Sequence, residues 1–338
     1  MTRRGCIAAT AAFALQGCAG FQTMLGGDAL ESSNFLTLFE VFMVVCAVMY
    51  VLVVGALLIG MWRARRSAEP LTVETGKHNE TRPALRPALI AWTALIAVGL
   101  VALTIASFFT DRSNASVARD PQLTINITAN QWWWDVEYTT NDVSKMVRTA
   151  NEIHLPVGVP AEITLQSPDV IHSLWIPNLA GKQDLIPGRV TDMQILPRKT
   201  GTYRGQCAEF CGVQHAHMAL DVTVESKADF DRWYAAQLKP AFAPVTPLEF
   251  AGYRYMVTRE CGACHNITGT PASGTVAPDL THFASRRSIA AGTLPMSTGN
   301  LYGWVADPQS QKPGNHMPTI GLEPNDLHAV IAYLETLK

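Results

Sequence analysis

The chain has 338 residues, 48% of them hydrophobic and only 16% charged. That length allows about two globular domains, and the apolar excess points to a part lying in a membrane. The formal net charge of -2 excludes the basic face that nucleic-acid binding needs, so no nucleic acid is expected as a partner.

The chain begins MTRRGCIAATAAFALQGC. Arg3 and Arg4 precede a short apolar run at residues 7–15, and Leu15-Gln16-Gly17-Cys18 resembles a lipoprotein processing site. The run is too short to span a bilayer, so residues 1–18 read as a signal peptide, with Cys18 as a lipidated N-terminus if it is processed. An uncleaved or differently cleaved signal is the alternative.

Two stretches of membrane-spanning length follow, residues 35–62 and 88–109. Glu40 interrupts the first near its outer end, where a charge reaches the interface. The intervening loop carries Arg63, Arg65, Arg66, Lys77, Arg82 and Arg86, and the positive-inside rule puts it in the cytoplasm. A two-helix transmembrane hairpin over residues 35–110 is therefore expected, in a bacterial inner membrane. Everything after residue 110 then lies on the periplasmic side.

From residue 122 to 225 the pattern changes to short alternating runs such as QLTINITANQWWWDVEY and EIHLPVGVPAEITLQS, separated by Pro and Gly. This predicts an all-β sandwich or small barrel, with the domain taken as residues 120–236. The segment GQCAEFCGVQHAHM places Cys207, Cys211, His215 and Met218 close together, and His172 stands apart in SPDVIHSLWIP. Seven cysteines in all, an odd number, fit a disulfide framework poorly. Thiolate, imidazole and thioether are soft ligands that favour copper. Two thiolates can bridge two copper ions, each with one terminal imidazole, His172 or His215, and one weak ligand. Such a site relays electrons and leaves no open position for substrate. A zinc site or a Cys207–Cys211 disulfide is the alternative.

QWWWDVEY, SPDVIHSLWIPNLAGKQDLIPG and CAEFCGVQHAHM, with the helix pair, resemble subunit II of the haem-copper cytochrome c oxidases. The resemblance runs from residue 35 to about 225. It implies a cupredoxin-like fold and a binuclear copper centre held by His172, Cys207, Cys211, His215 and Met218. It also implies copper ligation by the Glu209 carbonyl, with the Glu209 side chain reaching a magnesium ion at the border with subunit I. Trp132 matches the family's electron-entry residue; an aromatic packed at a strand end is the alternative. His217 is required by neither spacing nor motif and is expected to be solvated. One position departs from the family: many members carry a glutamate three residues before the Trp-Thr of the second helix, where Leu89 precedes Trp92-Thr93. The proton entry must differ or come from elsewhere.

Around residues 239–246 lies a proline-bearing linker, expected to tether the last domain, residues 247–338, closely enough for intramolecular electron transfer. Cys261-Gly-Ala-Cys264-His265 is a c-type haem attachment string: both thiols bond the porphyrin and the imidazole binds iron. Met317, in KPGNHMPTIG just before the closing helix, is the expected sixth ligand. Met296, His316 and His282 are the alternatives. The closing helix, EPNDLHAVIAYLETLK, carries Leu327, Val330, Ile331 and Leu334 along one face. This segment resembles the all-α, class I cytochrome c domain fused to subunit II in caa-type oxidases.

Together these features imply the electron-entry subunit of a respiratory terminal oxidase. Electrons would pass from soluble cytochrome c or a quinol-cytochrome c reductase to haem c, then to copper, then to subunit I, with subunit III as a further partner. Oxygen reduction would occur in subunit I. The competing readings are the equivalent subunit of a nitric oxide reductase and a copper-binding assembly protein. Quinol oxidase subunits of the same fold lack the copper cysteines.

Overall fold

The structure, a computed structural model, describes residues 20–66, 85–117 and 121–338. The signal segment with Cys18, and Lys77 and Arg82 of the basic loop, lie outside the described residues. Of the described residues, those from 34 to 115 form one compact unit and the rest a second.

Two long helices make up the first unit, α1 (Leu30–Arg66) and α2 (Leu85–Val117). Both run past the apolar stretches. In α1 the extension is acidic at its start, with Glu31, and basic at its end, with Arg63, Arg65 and Arg66, as the helix dipole favours. Asn34 Nδ2 donates to Asn114 Oδ1 at 2.7 Å, which sets the start of α1 beside the end of α2 and makes the pair antiparallel. Val44, Tyr50, Leu57, Val98 and Phe109 are each more than half exposed. Bare apolar faces of this length suit lipid, and both helices are long and apolar enough to cross a membrane.

The second unit starts with two five-stranded sheets. One runs β3-β2-β1-β5-β8, from β1 (Leu123–Asn130), β2 (Trp133–Thr139), β3 (Val147–Ala150), β5 (Ala161–Gln166) and β8 (Thr191–Ile195). The other runs β4-β10-β9-β6-β7, from β4 (Glu152–Pro156), β6 (His172–Trp175), β7 (Gln183–Leu185), β9 (Gly201–Cys207) and β10 (Ala219–Glu225). Strict alternation puts Ile125 and Ile127 of β1, Trp134 and Val136 of β2, and Val222 and Val224 of β10 into one core. Each such side chain contributes roughly 1.5–3 kcal/mol on burial. The cupredoxin-like architecture is the expected one. Helix α3 (Lys227–Gln237) starts at the Ser226 cap and lays Trp233 flat on His154, with ring centroids 4.0 Å apart.

The C-terminal segment is helical: α4 (Pro247–Thr258), α5 (Cys261–Cys264), α6 (Thr298–Ala306), α7 (Pro308–Gln311) and α8 (Pro324–Leu334), with a small hairpin of β11 (Ser288–Ile289) and β12 (Leu294–Pro295). Thr246 and Glu249 form a capping box that starts α4. Helix α4 crosses α8 at Gly252, where a Cβ would collide with the Ala329 carbonyl and lie 2.9 Å from Tyr333 Cβ. The linker is not a free tether. Ala241 N–H donates to Thr268 O at 2.9 Å, and a His282 ring nitrogen lies 3.0 Å from Lys239 O.

Candidate metal centre and adjoining cavity

Strands β6 and β9 pair with Leu174 opposite Cys207, so His172, at the start of β6, lies near the sulfur at the end of β9. From Cys207 the chain loops out and returns at Met218. The loop is closed by Cys207 N–H donating to Met218 O at 2.9 Å and Ala208 N–H donating to Ser173 O at 2.8 Å. A single 3-10 turn, His215–His217, lifts His215 back over the loop. Gly212 makes the reversal possible. Its φ is +115°, and a Cβ there would come within 2.9 Å of the Trp132 ring, so a side chain is excluded on both grounds.

The expected ligands meet around the two sulfurs. Cys207 Sγ and Cys211 Sγ are 3.7 Å apart and both free, whereas a disulfide needs about 2.05 Å. His172 Nδ1 lies 3.9 Å from Cys207 Sγ, and His215 Nδ1 lies 3.7 Å from Cys211 Sγ. Met218 Sδ is 3.9 Å from Cys211 Sγ, and the Glu209 carbonyl is 3.2 Å from Cys207 Sγ. The ligand atoms of His172, Cys207 and Cys211 all fall within 4.8 Å of one another. His217 stays outside the cluster, exposed, with its Nδ1 2.8 Å from Gln214 Oε1.

The two thiols are electrostatically coupled across their 3.7 Å contact. The hydrogen bond with Cys211, with that to His172 and against the effect of burial, holds the Cys207 thiol well below the ordinary thiol range. The same pairing, together with burial, pushes Cys211 up. Burial would lower the pKa of His172, but Cys207 and Asp169 raise it above the ordinary histidine value.

Asp169 is the functional residue that sequence reasoning missed. Its Oδ1 lies 2.8 Å from His172 Nε2, so that nitrogen carries a proton and Nδ1 is the one turned toward the sulfurs. The spacing Asp-x-x-His was the available signal.

Trp132 ties this centre to a cavity beside it. Its Nε1 donates to Cys211 O at 2.9 Å, Gln131 Nε2 donates to the same oxygen at 2.8 Å, and its ring centroid lies 6.0 Å from that of His316. It is 7% exposed. The cavity, about 550 Å³, is lined by Trp132 on the sandwich side and by Cys261, Cys264, His265, His316 and Met317 of the helical segment. That volume and its apolar walls suit a large organic cofactor. His265 Nδ1 donates to Pro278 O at 2.7 Å, which leaves Nε2 as a bare nitrogen. Desolvation lowers the His265 pKa despite that bond, so the imidazole is neutral, as a metal ligand must be. Met296 packs against the helical core instead, and both ring nitrogens of His282 are engaged by the carbonyls of Lys239 and Lys338.

Two family descriptions match the chain: "Cytochrome C oxidase subunit II, periplasmic domain" over residues 140–226 and "Cytochrome c" over residues 251–338. Among similar proteins, cytochrome c oxidase subunit 2 of Alkalihalophilus pseudofirmus is 32% identical, covering 74% of this chain and 72% of the relative. The subunit 2 of Bacillus sp. strain PS3 is also 32% identical, covering 74% of each chain. That of Bacillus subtilis is 27% identical over 92% of this chain and 90% of its own.

Proposed function

The chain belongs to the cytochrome c oxidase subunit 2 family, and from that premise we propose how its two sites divide the work. Membership makes it a component of a haem-copper oxidase, with other oxidase subunits as partners, copper in the sandwich and haem in the C-terminal segment. We infer further that the copper centre is binuclear. His172 Nδ1, His215 Nδ1, the two thiolates, Met218 Sδ and the Glu209 carbonyl would hold it, and this soft donor set suits copper. The Glu209 carboxylate would hold magnesium at the subunit I border. Cys261 and Cys264 would attach haem c covalently, and His265 and Met317 would hold its iron. Both groups carry single electrons when bound.

The chain's own residues do the positioning. Asp169 keeps His172 in one tautomer, Pro278 does the same for His265, and Trp132 touches both sites at once. That last juxtaposition carries the reading: one indole donates to the Cys211 carbonyl and packs against His316, the neighbour of Met317. Electrons entering at the haem would cross Trp132 to copper and leave for subunit I, where oxygen is reduced. Soluble cytochrome c or a quinol-cytochrome c reductase would supply them. The helices α1 and α2 would hold both sites on the periplasmic side of the inner membrane, with subunits I and III alongside. The nitric oxide reductase and copper-delivery alternatives are not favoured, since the similar proteins are oxidase subunits matched across most of the chain.

Metal analysis and electron spin resonance of the purified full chain test this. Two coppers and one haem per chain, with one unpaired electron shared by both coppers, are expected. A single copper, or zinc in its place, would refute the binuclear assignment.

A further inference from the structure

Lysine is almost never fully buried without a charged partner. Lys312, just after α7, is 2% exposed, and among the described residues no carboxylate pairs with it. Its ammonium instead donates to three main-chain carbonyls: Trp132 O at 2.8 Å, His217 O at 2.7 Å and Ala290 O at 3.0 Å. All three of its donors are used. Two acceptors belong to the sandwich and one to the haem segment.

The backbone around it is shaped for the same contact. Ala290 and Ala291 have φ of +54° and +59°, a region that residues with a Cβ seldom occupy. Their turn aims the Ala290 carbonyl at Lys312, and the Ala291 carbonyl accepts from Ala219 N–H at 2.9 Å. Next to Lys312, Pro313 O accepts from Gln214 Nε2 at 2.6 Å. Arg204 donates to Gly292 O at 3.2 Å, and Ser288 Oγ donates to Asp221 Oδ2 at 2.5 Å. Gln214, Ala219 and His217 all flank the metal loop or its return strand.

We propose that Lys312 is the positioning residue that seats the haem segment on the copper domain, binding the carbonyls of Trp132 and His217 to that of Ala290. This rests on the relay reading above. Seated in this way, the haem segment covers Trp132, so an outside donor must deliver to the haem and not to the indole. Removing the ammonium leaves the Trp132 carbonyl without a donor, while the Ala290 and His217 carbonyls keep only the Thr293 hydroxyl, at 2.7 and 3.3 Å, and it loosens the side of the seat on which Trp132 meets His316. Replacing a charged donor by an apolar group of similar length is therefore felt at the seat, while the ligands of both metals keep their own frames.

The test uses the intact oxidase carrying Lys312→Met, Lys312→Gln or Lys312→Arg. The first readout is hydrogen exchange at the Ala219 amide, which is protected by its bond to the haem segment. The second is the haem-to-copper transfer rate after flash reduction. Lys312→Met should speed Ala219 exchange and slow transfer by about tenfold or more each, the effect of losing one charge-assisted hydrogen bond, with haem and copper spectra unchanged. Lys312→Gln should fall between, and Lys312→Arg should recover part of both; these two decide the matter if the methionine variant does not assemble. Unchanged Ala219 exchange in the variants overturns the proposal, and so does faster exchange with an unchanged transfer rate. If the parent oxidase passes no electron from haem to copper, the relay reading fails. The exchange comparison still decides the seat.

Discussion

Replacing Asp169 with alanine should weaken copper binding by about tenfold to a hundredfold, roughly 1.4–2.7 kcal/mol. The carboxylate accepts from four groups, one of them the Ser167 hydroxyl on Oδ1 at 3.0 Å. Its Oδ1 takes the His172 Nε2 proton at 2.8 Å and the Val170 amide at 2.6 Å, and its Oδ2 takes the Gln131 amide at 2.7 Å. Asp169 is exposed, so water can replace it at the two amides. Water has no such route to His172, which is wholly buried. The loss therefore falls on the imidazole, which becomes free to rotate or to take the other tautomer and present a protonated Nδ1 to the metal. Asp169→Asn keeps an acceptor oxygen without the charge and should cost less than alanine. Competition against a chelator of known copper affinity, on the full chain in detergent, measures the effect. Parent affinity and an unchanged copper spectrum in Asp169→Ala would refute the orienting role.

Gly252→Val should destabilise the helical segment by about 1–3 kcal/mol or more, because its Cβ collides with Ala329 O at the α4–α8 crossing; an unchanged haem-segment melting temperature would contradict this. Met317→Ala should lower the haem potential while Met296→Ala leaves it unchanged, and the reverse pattern in redox titration would reassign the ligand. His154 lies 2.8 Å from Glu225 and 3.9 Å from Glu152; burial alone would lower its pKa, but the two carboxylates raise it above the ordinary value. Its folded pKa thus exceeds the unfolded one. The stability it contributes is fully present below about pH 6.5 and is lost as pH rises through the raised folded value. His154→Gln should flatten that slope in thermal unfolding between about pH 6 and about pH 8.5, and an unchanged slope would rule this out.

The ligand loop was legible because Cys207, Cys211, His215 and Met218 lie within one turn of chain between β9 and β10, so spacing and spatial proximity coincide. His172 was reached through the motif around it, and the fold brings it in by the β6–β9 pairing. The haem string was legible for the same local reason. What escaped was the seat between the two domains. Lys312 stands in a polar loop with nothing to mark it, and its three partners are carbonyls from residues far apart in sequence. Main-chain acceptors look alike at every position, so no side-chain pattern records them. The linker with Pro240 and Pro244 read as a tether for a similar reason: its anchorage on Thr268 and His282 uses its own backbone groups. Helix ends were also missed, since α1 and α2 continue through polar turns that hydropathy does not count.

Flash reduction of the haem in the intact oxidase, followed at the copper absorbance, tests the central claim most directly. Copper should be reduced in a first-order step independent of protein concentration. Trp132→Ala should slow that step by about tenfold or more with both spectra intact. Reduction that depends on protein concentration, or a rate untouched by Trp132→Ala, would contradict an internal relay from haem through the indole to copper.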